Sequence, residues 1–309
     1  MSDRCVHTVA AMGTVVTIDV VGHGATERDR RERLAAVQGA AGWFHAIEEV
    51  CTRFDPKSEL SQLSTRIGVP VRVSALLFEA VQFALTVADE TNGAFDPTIG
   101  RQLEARGFNV DSRSGRTVRT LLDGDDPVSY RDVHLDPVTR EITLQRPLLL
   151  DLGAVAKGLA IDTAARKLAR FEDFAIDAGG DLYLAGRNVE GESWAIGIED
   201  PRTDHHLVET LRVSNTAVCT SGDYRRRTDA GHHIIDPRSG ITAAALASVT
   251  VIAPSAMLAD ALGTAAFVLG PDDGLALLQR HGVQGLLLTP GLERFATAGM
   301  TALEQHAPA

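Results

Sequence analysis

Between Thr220 and Gly240 the chain reads TSGDYRRRTDAGHHIIDPRSG, which brings hydroxyls, an acid, three consecutive arginines and two adjacent histidines into one short segment. Asp236-Pro237 and Ser239-Gly240 are turn formers, and His232 to Ile235 between them reads as a short strand. A histidine entering a strand beside a turn is held rigidly at the rim of a cleft. Its unperturbed pKa suits proton transfer near neutrality. The plainer alternative is a histidine pair that is half surface and half packing, with Arg225–Arg227 as a solvated face.

Three other segments carry chemistry-bearing groups. In DLGAVAKGLAID, residues 151–162, a strand end at Leu150–Asp151 feeds a glycine and then a helix. That arrangement presents free backbone N–H groups to an anion, and Lys157, about one turn further on, adds a positive charge. The alternative is a helix start with a solvent lysine. Asp260 and Thr264 stand four apart in an almost wholly apolar helix, on one face. An ionised Asp there needs a partner or a metal, and carboxylate plus hydroxyl suits Mg²⁺; the alternative is an Asp bonded to backbone or facing solvent. Gly93-Ala94-Phe95-Asp96-Pro97-Thr98 is a structured turn with an acid and an aromatic.

The elements that must position these groups follow from periodicity. Thr14 to Val21 reads as a strand and Glu27 to Cys51 as a long helix. A turn over Phe54 to Leu63 opens a short helix. Ser74 to Thr91 reads as a helix with Ser74 as N-cap, stopped by Asn92-Gly93. Arg113 to Asp126 reads as a polar surface excursion. Val133–Leu135 and Glu141–Leu144 form a hairpin, and the helix opened at Asp151 runs to about Leu168. Further strands are expected at 174–176, 181–185, 194–199, 207–213, 246–252 and 285–289, with helices near 255–268 and 271–281. The irregular alternation points to an α+β fold with mostly antiparallel sheets and flanking helices, not a doubly wound one.

With 309 residues, 44% of them hydrophobic, the chain suits one domain or two closely packed lobes with a cleft between them. A formal charge of −11 argues against nucleic acid as the main partner. Cys5, Cys51 and Cys219 lack the spacing of a disulfide framework or a zinc site. Neither a P-loop nor a dinucleotide-binding glycine fingerprint is present. No basic leader precedes a long apolar run, and no stretch reaches the roughly 20 apolar residues of a membrane span. The expectation is a cytoplasmic protein that acts on neither nucleic acid nor membrane.

Taken in order, MGT at 12–14, SELSQLS at 58–64, GAFDPTIG at 93–100, DLGAVAKGLAID, IDAGGDLYLAG at 176–186, TSGDY at 220–224, HHIIDPRSG at 232–240 and the Asp260…Thr264 helix match one pattern. The chain resembles the ApbE family of FAD:protein FMN transferases from near its first residue to its last. The resemblance implies an ApbE-like α+β architecture related to the T-fold. It also implies Mg²⁺-dependent transfer of FMN from FAD to a serine or threonine hydroxyl of an acceptor flavoprotein, with release of AMP. Carried over by motif, His233 is the catalytic histidine and His232 the second choice. The metal ligands are Asp260, Thr264 and the backbone carbonyl of Ala154. FAD contacts are Met12, Phe54, Ala94, Phe95, Asp96, Asp151, Lys157 and Ile234. Ser221 and Asp223 are shape-holding neighbours, and the arginine run reads as surface.

Three positions depart from common forms of the pattern. Phe54 stands where a Tyr is frequent, Gly263 where some members carry a further Asp, and Ser64 where an Asn is frequent. Two other functions fit the same residues: an FAD pyrophosphatase yielding FMN and AMP, and a flavin-binding protein without catalysis.

Overall fold

The structure, a computed structural model, describes residues 3–22, 26–120, 122 and 126–303. Its centre is an eight-stranded sheet in which every neighbouring pair is antiparallel. From one edge to the other the strands are Asp3–Ala11, Thr14–Gly22, Phe174–Ala178, Asp181–Ala185, Thr216–Gly222, Ser248–Ala253, Gln284–Leu288 and Arg294–Ala296. Alternation along the strands serves two cores. Ala217, Cys219, Val249, Val251 and Leu287 face a helical layer, whereas Val218, Ile252, Leu286 and Leu288 belong to a second cluster. That second cluster also holds Ile198, Leu211 and Val213 of a separate hairpin, Trp194–Glu199 with Leu207–Val213.

The helices are α1 (Glu27–Cys51), α2 (Glu59–Leu63), α3 (Ala75–Glu90), α4 (Gly100–Ala105), α5 (Gly153–Leu168), α6 (Ala256–Leu269) and α7 (Pro271–Arg280). Their starts are set by side-chain caps. Thr26 and Asp29 form a capping box on α1, and Ser74 accepts the Leu77 N–H at the start of α3. The expected helix end is where α3 stops: Asn92 and Gly93 both have positive φ, and Gly93 N–H donates to the Ala88 carbonyl at 2.8 Å.

The α+β expectation and nearly all expected elements hold, with informative exceptions. The strands Asp3–Ala11 and Thr216–Gly222 extend the sheet where none was anticipated. His232 to Ile235 is not one strand: Gly231–His232 and Ile235–Asp236 pair with different partners, leaving His233 and Ile234 at the break. In the 113–126 segment, Leu121 and Asp123–Asp125 lie outside the described residues. Arg113, Ser114, Arg116, Thr117 and Val118 help to wall a large cavity instead of forming a detached surface excursion.

Candidate active site

A cavity of about 1580 Å³ opens where the tips of several strands meet the start of α5 and one face of α6. Met12, Phe54, Asp151, Ala154, Lys157, His233, Ile234, Asp260 and Thr264 all line it, although they come from five separate stretches of sequence. Met12 and Gly13 form a two-residue turn between the first two strands, both with positive φ. This is the backbone of a tight hairpin turn, and it holds Met12 at the cavity wall.

Another part of the site is an acidic and basic cluster. Asp260 is buried within α6, and its Oδ2 has no hydrogen-bond partner. The Lys157 ammonium on α5 is ion-paired with buried Asp181, whose Oδ1 accepts the Thr220 N–H at 3.2 Å. Burial would lower the Lys157 pKa, but Asp181 and then Asp260 overcome this and raise it. Burial and then Asp181 push the Asp260 carboxyl upward, opposed by Lys157 and Arg226. Thr264 Oγ1 lies 3.4 Å from Ser221 Oγ. An orphaned carboxylate oxygen beside a hydroxyl, with the Ala154 residue on the facing helix, is an oxygen donor set that fits a hard divalent cation.

The two adjacent histidines have different environments. His232 is buried, and both ring nitrogens are taken: Nε2 by the Ala243 carbonyl at 2.7 Å and Nδ1 by the Ile234 N–H at 3.3 Å. His233 lines the cavity. Its Nδ1 lies 3.4 Å from the Arg226 carbonyl oxygen, to which its backbone N–H also donates. With the proton on Nδ1, Nε2 is left as an acceptor. Burial, followed by the nearby Arg226 charge, lowers the His233 pKa to about 4, so the ring is neutral at pH 7. The turn beyond it is locked from two sides. Arg238 forks onto Asp236 at 2.9 and 3.0 Å, and Arg106, just past α4, donates to Thr242 Oγ1 at 2.7 Å and to the Gly240 carbonyl.

Arg53 is the least exposed cation in the site and was not anticipated as part of it. Its guanidinium donates to Asp151 at 2.5 Å and to the Phe108 carbonyl at 2.5 Å, and lies 4.3 Å from the centre of the Phe54 ring. Burial would raise the Asp151 pKa, but Arg53 outweighs it and the net shift is downward. Asp151 also accepts the Gly153 N–H at 2.9 Å, which caps the entry to α5.

Ala94, Phe95 and Asp96 are buried and are not among the cavity's lining residues. Asp96 Oδ1 takes the Thr98 N–H and hydroxyl, and Oδ2 takes the Tyr130 N–H. The turn reaches the site through Pro97, whose carbonyl accepts the Asp151 N–H at 2.7 Å. Asp223 likewise faces elsewhere, held by Arg202 through two bonds of 2.8 Å. The arginine run is exposed, as expected, and Arg225 pairs with Glu199; Arg225 and Arg226 also line the cavity. Arg53 left no mark in the sequence, whereas Asp181 lies within the IDAGGDLYLAG motif and Arg226 within the arginine run, neither with a role assigned.

The model of the ApbE family matches residues 12–287. The FAD:protein FMN transferase of Haemophilus influenzae is 28% identical, with 95% of this chain and 89% of that protein covered. The FAD:protein FMN transferase of Treponema pallidum is 31% identical over 87% of this chain and 84% of its own. Among solved structures, the ApbE protein of Thermotoga maritima superposes with a TM-score of 0.84 at 28% identity, covering 98% of this chain and 100% of the other.

Proposed function

The chain belongs to the ApbE family, as an FAD:protein FMN transferase that flavinylates acceptor proteins, and from that premise we propose how its residues divide the work. His233 is the base, and Asp260, Thr264 and the Ala154 carbonyl hold Mg²⁺. When bound, Mg²⁺ supplies positive charge that offsets the charge of the FAD pyrophosphate. The observation that carries the metal assignment is the buried Asp260 Oδ2 without a hydrogen-bond partner. Leaving such a group unmatched is costly, and a cation relieves it.

In the transfer, the serine or threonine hydroxyl of the acceptor attacks the phosphorus on the FMN side of the pyrophosphate. The new O–P bond forms as the phosphoanhydride bond breaks, and its electron pair leaves with AMP. The hydroxyl proton passes to Nε2 of His233, which is neutral and therefore able to take it. The Arg226 carbonyl keeps the opposite nitrogen protonated and so fixes which nitrogen is basic.

Lys157, kept charged by Asp181, adds a cation beside the phosphates. Phe54, backed by Arg53, offers its ring as a stacking face, while Met12 and Ile234 supply apolar contact. Asp151 anchors the start of α5 and faces FAD. Ala94, Phe95 and Asp96 serve FAD binding from behind, through Pro97 and Asp151.

No helix among the described residues is long and apolar enough to cross a membrane; the acceptor proposed is a cytoplasmic flavoprotein. The test is incubation of a candidate flavoprotein with this protein, FAD and Mg²⁺, followed by mass spectrometry. Covalent FMN on a hydroxyl residue supports the reading. Release of AMP at the same rate with and without acceptor would instead mark a pyrophosphatase.

A further inference from the structure

The metal site proposed above is built on two helices, and the residues that set their crossing do not line the cavity. Ala154, Gly158 and Asp162 recur every four residues along α5 and therefore share one face of it. At Gly158 the two helices meet backbone to backbone: a Cβ there would lie 2.5 Å from the Met257 backbone nitrogen. One turn further along α5, the buried carboxylate of Asp162 accepts the Ala256 N–H at 2.7 Å and the Met257 N–H at 3.0 Å.

A helix leaves its first four N–H groups without intrahelical partners. In α6, the Ala256 and Met257 N–H groups are taken by Asp162 and Leu258 N–H by the Ser255 Oγ at 3.3 Å, and the first intrahelical bond then runs from Ala259 N–H to the Ser255 carbonyl at 3.1 Å. At the start of α6 the cap side chain thus satisfies one N–H, and α5 satisfies two. Ordinary capping needs only the former, so the Asp162 contact ties the position of one helix to the other.

We infer that Asp162, with Gly158, is a positioning element for the metal site, fixing α6 along α5 and thereby the separation between the Ala154 carbonyl and the Asp260/Thr264 pair. The inference rests on the metal assignment above. Ala256 and Met257 precede Asp260 by about one turn, and Asp162 follows Ala154 by roughly 12 Å of helix. Both arms are short and stiff, so a shift at the clamp is carried to the ligands. Mg²⁺ demands near-ideal octahedral geometry and tolerates little displacement. Outer residues that orient ligands typically change metal affinity by about 10–100-fold when replaced.

The experiment is a titration of metal-free protein with Mn²⁺ as the probe, followed by electron paramagnetic resonance, without FAD or acceptor. Asp162→Asn keeps the side-chain volume but sets an amide NH₂ against a backbone N–H, and Gly158→Ala forces the helices apart. Each is expected to weaken Mn²⁺ binding by about 10-fold or more while keeping the wild-type circular dichroism spectrum. Ser74→Ala, which removes the cap of α3, is expected to lower the melting temperature and leave the Mn²⁺ affinity unmoved.

Wild-type Mn²⁺ affinity in folded Asp162→Asn and Gly158→Ala would overturn the inference, provided that Asp260→Ala abolishes binding. Should Asp260→Ala also bind normally, the metal assignment itself falls. Failure of both clamp variants to fold would also overturn it, because the contact would then hold up the fold and not tune the site.

Discussion

The Nδ1 of His233 lies 3.4 Å from the backbone carbonyl oxygen of Arg226, the middle residue of the arginine run Arg225–Arg227. One carbonyl thus decides which imidazole nitrogen is basic, and the same residue's guanidinium helps to keep the ring neutral. His233→Ala should retain FAD, measured by quenching of flavin fluorescence, and lose transfer by about 10²–10⁴-fold, the usual worth of a positioned base. Unchanged transfer by that variant would remove His233 from the mechanism.

The pH dependence has a definite sign. The His233 pKa is lowered to about 4 in the folded protein, below the 6.5 of an unperturbed histidine. The base is therefore neutral throughout the neutral range, and single-turnover transfer should fall only as the pH drops through about 4. In stability, a histidine whose folded pKa is depressed costs the fold something as pH falls from about 6.5 towards 4, because only the unfolded chain takes the proton there. His233→Gln should flatten that part of the urea-stability profile. A transfer profile with its acid limb near 6.5 would contradict the assigned environment.

Asp260→Asn should separate stability from metal binding. A buried carboxylate with an unmatched oxygen disfavours the metal-free fold, so the variant should melt at or above the wild type in a chelator. Added Mg²⁺ should raise the melting temperature of the wild type and leave that of the variant where it is. A variant that melts well below wild type in chelator would show that Asp260 supports the fold by itself.

Arg53 joins Asp151, the Phe108 carbonyl and the Phe54 ring. Arg53→Ala leaves Asp151 without its partner, for which about 3–5 kcal/mol is the usual cost at a buried pair. Because Asp151 keeps some solvent contact, the lower end is expected in urea unfolding. Arg53→Lys restores the charge without the fork or the planar stack, so it should recover stability in part and FAD affinity less. Full recovery of both by lysine would mean that charge alone matters there.

Asp96 makes a different kind of claim. All of its bonds run to Thr98 and Tyr130 within the protein. Asp96→Asn turns one acceptor into a donor facing an N–H, and should cost about 1–3 kcal/mol of stability. FAD affinity should fall less steeply than in Arg53→Ala; a loss of FAD binding without loss of stability would instead place Asp96 in contact with the ligand.

Much of this was legible in the sequence where chemistry and local structure coincide. Asp260 and Thr264 betray themselves by their spacing in an apolar helix, and Ser74 and Asn92-Gly93 announce the ends of α3. Long-range partners leave no such trace. Arg53 meets Asp151 across 98 positions, and Asp162 meets Ala256 across 94; no periodicity records either pairing. The edge strand Asp3–Ala11 buries little until Ala11, so its alternation is faint. The interior strand Thr216–Gly222 is built from small and polar residues, and its hydroxyls drew attention as chemistry instead of as sheet.

The central claim is that this protein moves FMN from FAD onto an acceptor hydroxyl with His233 as the base. Intact-mass and peptide mass spectrometry of an acceptor flavoprotein, incubated with FAD, Mg²⁺ and either wild type or His233→Ala, tests it most directly. The expected result is one FMN on a serine or threonine with wild type, matched by an equal amount of AMP, and neither with the variant under conditions where it still binds FAD. AMP without labelled acceptor, or equal labelling by both proteins, would contradict it.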